Sequence, residues 1–432
     1  MDRIELARRL GPMEWHGLPA HDKKEHGLEA RATIETAGHP TGSVIIEERD
    51  PRRFMAAFAR AVATDQPVFL ADPAWGPAER AALADLLSRR APPAEVPPGG
   101  TKEGWLMIPS GGSSGQVKFA RHDGGTIAAA VRGFCAHFRA DRPNCVGVLP
   151  LHHVSGLMAW MRAALTGGSY LPWDWKQLEA GDFPVLSGPG WFLSLVPTQL
   201  QRLLGRPKAV AWLRGFDTVF VGGGPVWTEL ADAAARAQIP VSLGYGMTET
   251  AAMVTALRPD EFLAGDRSSG AALPHAAITV TEDGRVRVAG DSLFRGYFPD
   301  RRSERFFVTE DLGELDDRGH LRVLGRRDDV IITGGKKVDP REVEAALRAS
   351  GEFADVAVVG VPDPEWGYAV VACYPEASRA PDLPRVISQL SAMASFKRPR
   401  RYAAIRDWPR NAQGKLNRAT LVTHCRRSDP AA

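Results

Sequence analysis

Short apolar segments alternate with helix-like segments between residues 67 and 246 of this chain. The apolar segments are rich in valine, leucine and phenylalanine and have the length of buried strands. The segments between them carry apolar residues at helical spacing. Strands that alternate with helices form largely parallel sheets covered by helices, so the sequence predicts an α/β protein. The strand-like segments are residues 67–73, 145–151, 191–197, 217–223 and 240–246, and the helical segments are residues 79–90, 126–140 and 229–238.

The pattern changes to strict alternation near Ala277. The segment AAITVTEDGRVRVAG alternates apolar and polar residues on both sides of Asp283-Gly284, a dipeptide typical of hairpin turns. We therefore expect a small antiparallel β subdomain after the parallel-type α/β subdomains of a large N-terminal domain. The proline- and glycine-rich residues 91–100 are predicted to form a surface loop within that domain.

A second change of pattern indicates a separate C-terminal domain. A charged, glycine-bearing segment near residue 325 precedes a helix-like segment at residues 341–349, two strand-like segments and a helix around residues 384–395. A tail of roughly 100 residues is long enough for a small α+β domain. We therefore predict an N-terminal domain of residues 1–326 and a C-terminal domain of residues 327–432.

Composition excludes several classes of protein. The chain is 44% hydrophobic and 24% charged, which is typical of a soluble globular protein. No segment approaches the roughly 20 apolar residues of a transmembrane helix, and the charged N-terminal residues lack the apolar core of a signal peptide. The four scattered cysteines offer neither a disulfide framework nor the spacing of metal ligands. These features predict a cytoplasmic protein.

The charge of the chain gives little information about partners. A net charge of +3 is too small to indicate binding to nucleic acid. One basic segment, residues 397–410, is either a solvated surface or a patch that attracts a polyphosphate ligand, and the sequence does not separate these interpretations. The oligomeric state also stays open, a homo-oligomer included.

A glycine- and serine-rich segment follows the strand-like residues WLMIP. Glycines let the backbone turn its N–H groups inward, while hydroxyls and a lysine add donors and positive charge, as in loops that bind phosphates. The segment lacks the spacing of a Walker motif, since no Gly-Lys-Ser/Thr ends it. On its own it is equally well interpreted as a plain turn. Its candidate ligand-binding residues are Ser110, Gly111, Gly112, Ser113, Ser114, Gly115 and Lys118.

Six further segments combine small, polar and charged residues. Several of them follow directly on a strand-like segment. Because ligands bind beyond the carboxyl ends of strands in an open parallel sheet, these loops are expected to converge on one crevice. The segments are residues 149–156, 221–225, 244–250, 309–313, 325–329 and 409–415.

Together these segments resemble the signature motifs of the adenylate-forming superfamily, which comprises acyl-CoA synthetases, luciferases and peptide-synthetase adenylation domains. They occur in the order typical of that superfamily between residues 110 and 418. The segments LPLHHVSGLMAWMR, SLVPTQLQRLL and GYGMTETAAM are most similar to o-succinylbenzoate–CoA ligases of menaquinone and phylloquinone synthesis. The resemblance implies that the protein uses ATP and Mg²⁺ to activate a carboxylic acid as its adenylate, releases pyrophosphate, and then forms a thioester with CoA.

The resemblance also implies which residues bind ATP. Residues 110–118 would hold the β- and γ-phosphates, and Tyr245 would pack against adenine. Asp311 would bind the ribose hydroxyls through charge-assisted hydrogen bonds, with Arg326 nearby. The remaining implied ATP-binding residues are Gly222, Gly223, Gly224, Pro225, Gly244 and Gly246.

Three residues are implied to be catalytic. Thr248 would contact the α-phosphate, Glu249 would ligate Mg²⁺, and Lys415 would neutralise charge that grows between the carboxylate and the α-phosphate. In this superfamily the C-terminal domain is a mobile lid that rotates between the two half-reactions, and Asp328 occupies the hinge position. The glycines that would admit the pantetheine arm of CoA are Gly334 and Gly335.

The chain departs from the superfamily pattern at two places. Gly112 and Val117 replace a threonine and a proline that the phosphate loop usually carries, so this loop is expected to be more mobile. Glu310 occupies a position where relatives often have glycine. Neither change is expected to inactivate the protein.

Arg162 is the residue on which the prediction of the acid depends. It lies in a helix-like segment between apolar residues, where an unpaired charge is costly, so a ligand carboxylate is one candidate partner. The second carboxylate of o-succinylbenzoate would supply it, and o-succinylbenzoate ligases carry an arginine at the corresponding position. An internal salt bridge or a snorkelling side chain is the alternative. The implied acid-binding residues are His153, Ser155, Gly156, Arg162 and Gln199.

Three other functions agree with part of this pattern. The first is a CoA ligase for another aryl or fatty acid, and the second is an adenylation enzyme that loads a separate carrier protein. The third is a non-catalytic nucleotide sensor, against which the presence of Lys415, Glu249 and Asp311 argues.

Overall fold

A computed structural model of the chain describes residues 1–10, 42–88, 104–111, 117–410 and 416–427. The predicted surface loop at residues 91–100 lies outside these ranges. The strands are β1 (Val44–Ile46), β2 (Val68–Leu70), β3 (Leu106–Gly111), β4 (Val117–His122), β5 (Asn144–Gly147), β6 (Tyr170–Pro172), β7 (Trp191–Leu195), β8 (Thr218–Val221), β9 (Val241–Met247), β10 (Ala252–Ala256), β11 (Ala271–Ala272), β12 (Ala276–Val280), β13 (Arg285–Gly290), β14 (Phe306–Leu315), β15 (Leu321–Arg326), β16 (Ile331–Thr333), β17 (Lys336–Val338), β18 (Ala357–Asp363), β19 (Gly367–Pro375) and β20 (Arg401–Ile405). The α-helices are α1 (Arg3–Arg9), α2 (Pro51–Val62), α3 (Pro77–Ser88), α4 (Gly124–Phe138), α5 (Val154–Thr166), α6 (Trp175–Ala180), α7 (Pro197–Leu204), α8 (Pro207–Leu213), α9 (Thr228–Arg236), α10 (Pro259–Leu263), α11 (Pro340–Ala349), α12 (Leu383–Gln389) and α13 (Arg418–Arg427).

The first sheet has the strand order β1-β2-β3-β4. Strands β1, β2 and β3 are parallel, with α2 between the first two, and β4 pairs antiparallel with β3. The carboxylate of Asp50 accepts a hydrogen bond from the backbone N–H of Arg53, which caps α2 at its N-terminus. Ser110 pairs with Lys118 across β3 and β4. The two ends of the glycine- and serine-rich segment therefore lie side by side.

The second sheet has seven strands in the order β11-β10-β9-β8-β7-β5-β6. The pairs among β5, β6, β7, β8 and β9 are all parallel. Most of their residues are apolar and buried, as expected for strands covered by helices on both faces. Phe58 of α2 packs edge-on against Trp160 of α5, with ring centroids 5.4 Å apart, so that a shared core joins the two sheets. The predicted α/β class is confirmed.

An antiparallel sheet of β12, β13, β14 and β15 follows. Strands β12 and β13 form the predicted hairpin, in which Val280 pairs with Val286. Gly284 in the turn has φ +82°, a left-handed conformation that residues with a side chain rarely adopt. The prediction of a small antiparallel β subdomain is confirmed.

The C-terminal part contains a separate apolar core. Strands β18 and β19 pair antiparallel, β20 pairs parallel with β19, and α11 and α13 pack against β18. The helix predicted around residues 384–395 is shorter than expected. It ends at Gln389, and the guanidinium of Arg398 binds the carbonyl oxygens of Ser391 and Met393 beyond that end. Strand β15 ends at the predicted domain boundary, and the boundary itself stays a prediction.

All four cysteines lie within the described ranges. All four cysteines are free, and the sulfur atoms of Cys373 on β19 and Cys425 on α13 lie 3.3 Å apart. No helix within the described ranges is long and apolar enough to cross a bilayer.

Arg418 attaches the last helix to the C-terminal sheet. Its guanidinium donates to the carboxylate of Glu344 at 2.7 Å and to the carbonyl oxygen of Val358 at 2.6 Å. Glu344 is only 3% exposed, so removal of the arginine leaves a buried charge with weaker compensation from Arg348, 3.7 Å away. We expect Arg418→Ala to lower the free energy of unfolding of the C-terminal part by about 3 kcal/mol in urea titrations.

The exposed Arg426 on the same helix provides the control. Arg426→Ala should change the free energy of unfolding by less than about 0.5 kcal/mol. Equal losses in the two variants would show that the buried ion pair contributes nothing specific.

Candidate active site

Strand β9 and the turn after it carry five of the predicted residues. Gly246 lies so close to β10 that a Cβ atom there would stand 2.1 Å from the carbonyl oxygen of Ala252. Thr248 and Glu249 occupy a 3-10 turn, residues Thr248–Thr250, directly after the strand. The glycine permits close pairing of the two strands, and this pairing holds the turn at the carboxyl edge of the sheet.

Tyr245 and Asp311 form a buried hydrogen bond. The Tyr245 hydroxyl donates to Oδ2 of Asp311 at 2.7 Å. Burial, followed by the negative charge of Asp311, raises the pKa of Tyr245 well above its usual range, so the hydroxyl stays a proton donor. Asp311 pairs with Arg326 across β14 and β15, and Nη1 of the arginine lies 3.4 Å from Oδ1. The structure thus brings these three predicted ATP-binding residues together.

Arg326 also binds Asp328, the predicted hinge residue. Nε and Nη2 donate to the two carboxylate oxygens at 2.8 and 2.7 Å. This two-pronged contact, opposed by burial, raises the pKa of Arg326. In this conformation the hinge position is therefore tied to the predicted ribose site, and its role as a hinge stays a prediction.

The carboxylate of Glu249 accepts two short hydrogen bonds. Both Ser110 and Tyr297 donate their hydroxyl groups to Oε1 at 2.6 Å. Within the described ranges no hydrogen bond ends on Oε2. The sequence did not predict Tyr297, because nothing near it in the chain distinguishes it from a core tyrosine. Burial and the charge of Glu249 raise the pKa of Tyr297, which therefore stays protonated.

His122 fixes the turn that carries Thr248. Its Nε2 lies 2.7 Å from the carbonyl oxygen of Thr248, and its Nδ1 lies 3.0 Å from the Thr126 hydroxyl. Since a carbonyl oxygen can only accept, Nε2 carries the proton. Burial lowers the pKa of His122 to about 4, so the ring is neutral at pH 7. The sequence analysis also did not predict a role for His122, because nothing in the sequence distinguishes it from an ordinary residue at the end of a strand.

The glycine-rich loop at residues 222–225 follows β8, the neighbour of β9 in the sheet. Its first backbone N–H donates to the carbonyl oxygen of Leu195, and Gly223 has φ +76°. Because β8 and β9 are parallel, the loop and the Thr248 turn leave the sheet at the same edge.

All five predicted acid-binding residues lie in α5 or α7, or directly before α5. His153 precedes the first turn of α5. Gly156 packs against the preceding loop so tightly that a Cβ atom would stand 2.2 Å from the carbonyl oxygen of Pro150. The Gln199 side chain accepts a hydrogen bond from the backbone N–H of Val196 and caps α7. Packing thus accounts for Gly156 and Gln199 without a ligand. Ser155 lies in the first turn of α5 and is half-buried.

Arg162 does not lie beside His153. The two are nine positions apart, and at about 1.5 Å per residue this separates them by about 13 Å along α5. The Arg162 guanidinium stacks on Phe134 at 4.1 Å from the ring centroid and lies 5.6 Å from that of Phe220. It is 4% exposed, its Nε has no hydrogen-bond partner, and burial lowers its pKa to about 10. No ion pair of Arg162 occurs among the described residues, so the internal salt bridge is not found there.

A cluster that the sequence analysis missed includes His153. Asp72 follows β2, and its carboxylate approaches Nε2 of His152 at 3.5 Å and Nε2 of His153 at 4.0 Å. Although burial raises the pKa of Asp72, His152 and the backbone N–H of Ala74 lower it to about 2. Burial lowers the pKa of His153 to about 3. The signal that could have found it is the pair of consecutive histidines at a strand end.

The predicted CoA-binding glycines and the basic segment 397–410 both make contacts within the C-terminal part. Gly334 and Gly335 have φ +53° and +75° in the turn between β16 and β17, and the backbone N–H of Gly334 donates to the carbonyl oxygen of Trp366. In the segment 397–410, ion pairs join Lys397 to Glu342 and Arg410 to Asp355. These pairs favour the interpretation of this segment as ordinary surface.

Some predicted residues lie outside the described ranges, so their roles stay predictions. They are Gly112, Ser113, Ser114, Gly115 and Lys415.

Comparisons with known proteins match both parts of the chain. The model of the AMP-binding enzyme family matches residues 21–298, and that of the AMP-binding enzyme C-terminal domain matches residues 342–415. The chain is 33% identical to a probable 2-succinylbenzoate–CoA ligase of Mycobacterium tuberculosis, over 73% of this chain and 83% of the relative.

Two further comparisons have partial coverage. The chain is 32% identical to a 2-succinylbenzoate–CoA ligase of Listeria monocytogenes, over 65% of this chain and 61% of the relative, so the match spans less than two thirds of that relative. The fold is similar to that of o-succinylbenzoate CoA synthetase from Bacillus subtilis in complex with its acyl-adenylate intermediate. For that structure the TM-score is 0.64 at 25% identity, over 74% of this chain and 69% of the other.

The buried neutral His122 generates a prediction about pH. A histidine whose pKa is about 4 in the folded state and about 6.5 in the unfolded state binds a proton more readily when unfolded, so stability is lost as the pH falls through 6.5. We expect His122 alone to account for about 2 kcal/mol of the loss in free energy of unfolding between pH 7 and pH 5. His122→Gln should therefore show a smaller loss over that interval in urea titrations, and an unchanged pH dependence would contradict the assignment.

Proposed function

Since the chain belongs to the AMP-binding enzyme family, we propose that it is an ATP-dependent acid–CoA ligase that acts on o-succinylbenzoate. The observation that carries the choice of acid is the similarity to the Mycobacterium tuberculosis relative, of which the match covers 83%. ATP and CoA are cytoplasmic metabolites, so we propose the cytoplasm as the site of the reaction. A homo-oligomer is compatible with the proposal and is not required by it.

In the proposed first half-reaction, ATP binds at the edge formed by β8, β9 and β14. The Asp311 carboxylate, held by the Tyr245 hydroxyl, accepts hydrogen bonds from the ribose hydroxyls, and the Arg326 guanidinium lies beside it. The loop of residues 222–225 provides the surface for adenine. This assignment rests on three side chains that already bind one another before the nucleotide arrives.

Glu249 is the proposed ligand of Mg²⁺, because its Oε2 is left for a cation while Ser110 and Tyr297 hold Oε1. When bound, the ion neutralises charge on the phosphates. Thr248, positioned by His122, contacts the α-phosphate. Lys415 places its ammonium group between the acid carboxylate and the α-phosphate, where it stabilises charge that grows as the oxygen attacks phosphorus and pyrophosphate leaves.

In the proposed second half-reaction, the C-terminal domain of residues 327–432 rotates about Asp328. The rotation breaks or rearranges the contact between Asp328 and Arg326, removes Lys415, and brings Gly334 and Gly335 to the pantetheine arm of CoA. The thiolate then attacks the acyl carbon, and AMP leaves.

The position of Arg162 favours a second candidate, a CoA ligase for an aryl or fatty acid without a second carboxylate. Arg162 is stacked on Phe134 and lies about two and a half helical turns from His153 along α5. Because aromatic faces already support the guanidinium, its burial does not require a ligand carboxylate. The two candidates share the adenylation chemistry and differ only in the acid.

An acid panel separates these candidates. We expect pyrophosphate release with ATP and Mg²⁺ to be at least about tenfold faster, as kcat/KM, with o-succinylbenzoate than with benzoate or octanoate. Lys415→Ala provides the control for chemistry and should abolish release with every acid. A preference for benzoate or octanoate would support the second candidate, and no release with any acid would contradict both.

Asp311 provides a test of the nucleotide site. Asp311→Asn removes the charge that strengthens the ribose hydrogen bonds, so we expect the KM for ATP to rise by about 10–100-fold. Asp283→Asn, in the exposed hairpin of the same sheet, should leave it unchanged. Equal effects, or none at Asp311, would contradict the assignment.

A further inference from the structure

The cluster of Asp72, His152 and His153 has no part in the adenylation chemistry proposed above, apart from the predicted contact of His153 with the acid. Its members come from two sheets: Asp72 follows β2, and the two histidines lie between β5 and α5. Their ligand atoms lie within 4.8 Å of one another. The three side chains thus converge although they are distant in sequence.

The distances in the cluster are too long for hydrogen bonds and suit a bridging cation. The Asp72 carboxylate lies 3.5 and 4.0 Å from the two Nε2 atoms, beyond the range of an ordinary N–H···O bond. Ligand atoms about 2.1 Å from a tetrahedral Zn²⁺ ion stand about 3.4 Å apart. The separations therefore approach those that a shared metal ion requires.

All three side chains of the cluster are buried, which is unusual for aspartate and histidine. His152 is 5% exposed, and Asp72 and His153 are 9% exposed. Neither Nε2 atom has a hydrogen-bond partner among the described residues. Buried polar atoms are rarely left without a partner, so two such atoms directed at one carboxylate indicate that something else binds there.

The orientation of the side chains is also that of a chelating site. The imidazole centroids of the consecutive histidines lie only 4.3 Å apart, so both rings project to the same side. The Asp72 Oδ1 atom accepts a hydrogen bond from the backbone N–H of Ala74 at 2.8 Å, which orients the carboxylate. Ligating carboxylates in metal sites are commonly held by such a neighbour.

We propose that Asp72, His152 and His153 bind one divalent transition-metal ion of the Zn²⁺ type. Two imidazole nitrogens and one carboxylate oxygen are a frequent donor set for this class of ion. The site is separate from the oxygen-only Mg²⁺ site proposed at Glu249 and does not depend on the proposed ligase activity. Three protein ligands leave a fourth position for an external oxygen ligand.

The proposal is tested by metal binding to the full-length, tag-free protein in the absence of ATP. Protein stripped with a chelator is titrated with Zn²⁺, and the retained metal is measured by elemental analysis. We expect about one equivalent of Zn²⁺ per chain. Co²⁺ bound in place of Zn²⁺ should show the visible absorption that is typical of nitrogen and oxygen ligands. This measurement requires no variant. Retention of no stoichiometric Zn²⁺ would overturn the proposal.

Variants identify the ligands. Asp72→Asn and His152→Phe preserve side-chain size and should each weaken Zn²⁺ binding by at least about 100-fold. His137→Gln is the matched control, because His137 is also buried with a free Nε2 but belongs to no such cluster in the described residues. Circular dichroism establishes that each variant is folded. Wild-type affinity in folded Asp72→Asn and His152→Phe would overturn the proposal, as would an equal loss in His137→Gln.

Discussion

The carboxylate of Glu249 connects parts of the chain that are distant in sequence. It accepts hydrogen bonds from the hydroxyl group of Ser110, 139 residues away, and from that of Tyr297 in the segment before β14. A buried carboxylate is costly unless it is hydrogen-bonded, so these donors stabilise the charge and also fix the start of the glycine- and serine-rich segment beside it. The proposed phosphate-binding segment and the proposed Mg²⁺ site both depend on the Glu249 carboxylate. Its hydrogen bonds fix the position of Ser110 at the start of that segment and the orientation of the carboxylate itself.

A second network has the same physical character. Tyr245, Asp311, Arg326 and Asp328 form a chain of hydrogen bonds that runs from the parallel sheet through the antiparallel sheet to the start of the C-terminal part. Each carboxylate in it accepts a hydrogen bond from a tyrosine or an arginine. A ligand that competes for Asp311 alters the interactions of Arg326, and thereby those of Asp328. The network thus offers a direct physical link between the proposed nucleotide site and the predicted hinge.

Much of the fold was predictable from the sequence, and the reasons are local. Valine-rich segments after helical ones predicted the parallel strands, and Asp283-Gly284 predicted the hairpin because its glycine allows positive φ. Several residues of the candidate site follow strands, and the sequence predicted that they lie at one edge because parallel strands end there. Arg162 shows what the sequence could not predict. Its apolar neighbours indicated burial, yet they did not reveal that Phe134 and Phe220 provide the surface on which it stacks.

The sequence by itself determined the order of strands and helices, the positions that require glycine, and the set of polar loops at strand ends. These follow from the side-chain spacing and backbone freedom of neighbouring residues. Only the tertiary structure decided which distant groups meet: Tyr297 with Glu249, His122 with the Thr248 turn, and Asp72 with two histidines from another sheet. Such contacts depend on how sheets and helices pack against one another, and that packing depends on the fit of whole surfaces, which the spacing of residues along a segment does not specify.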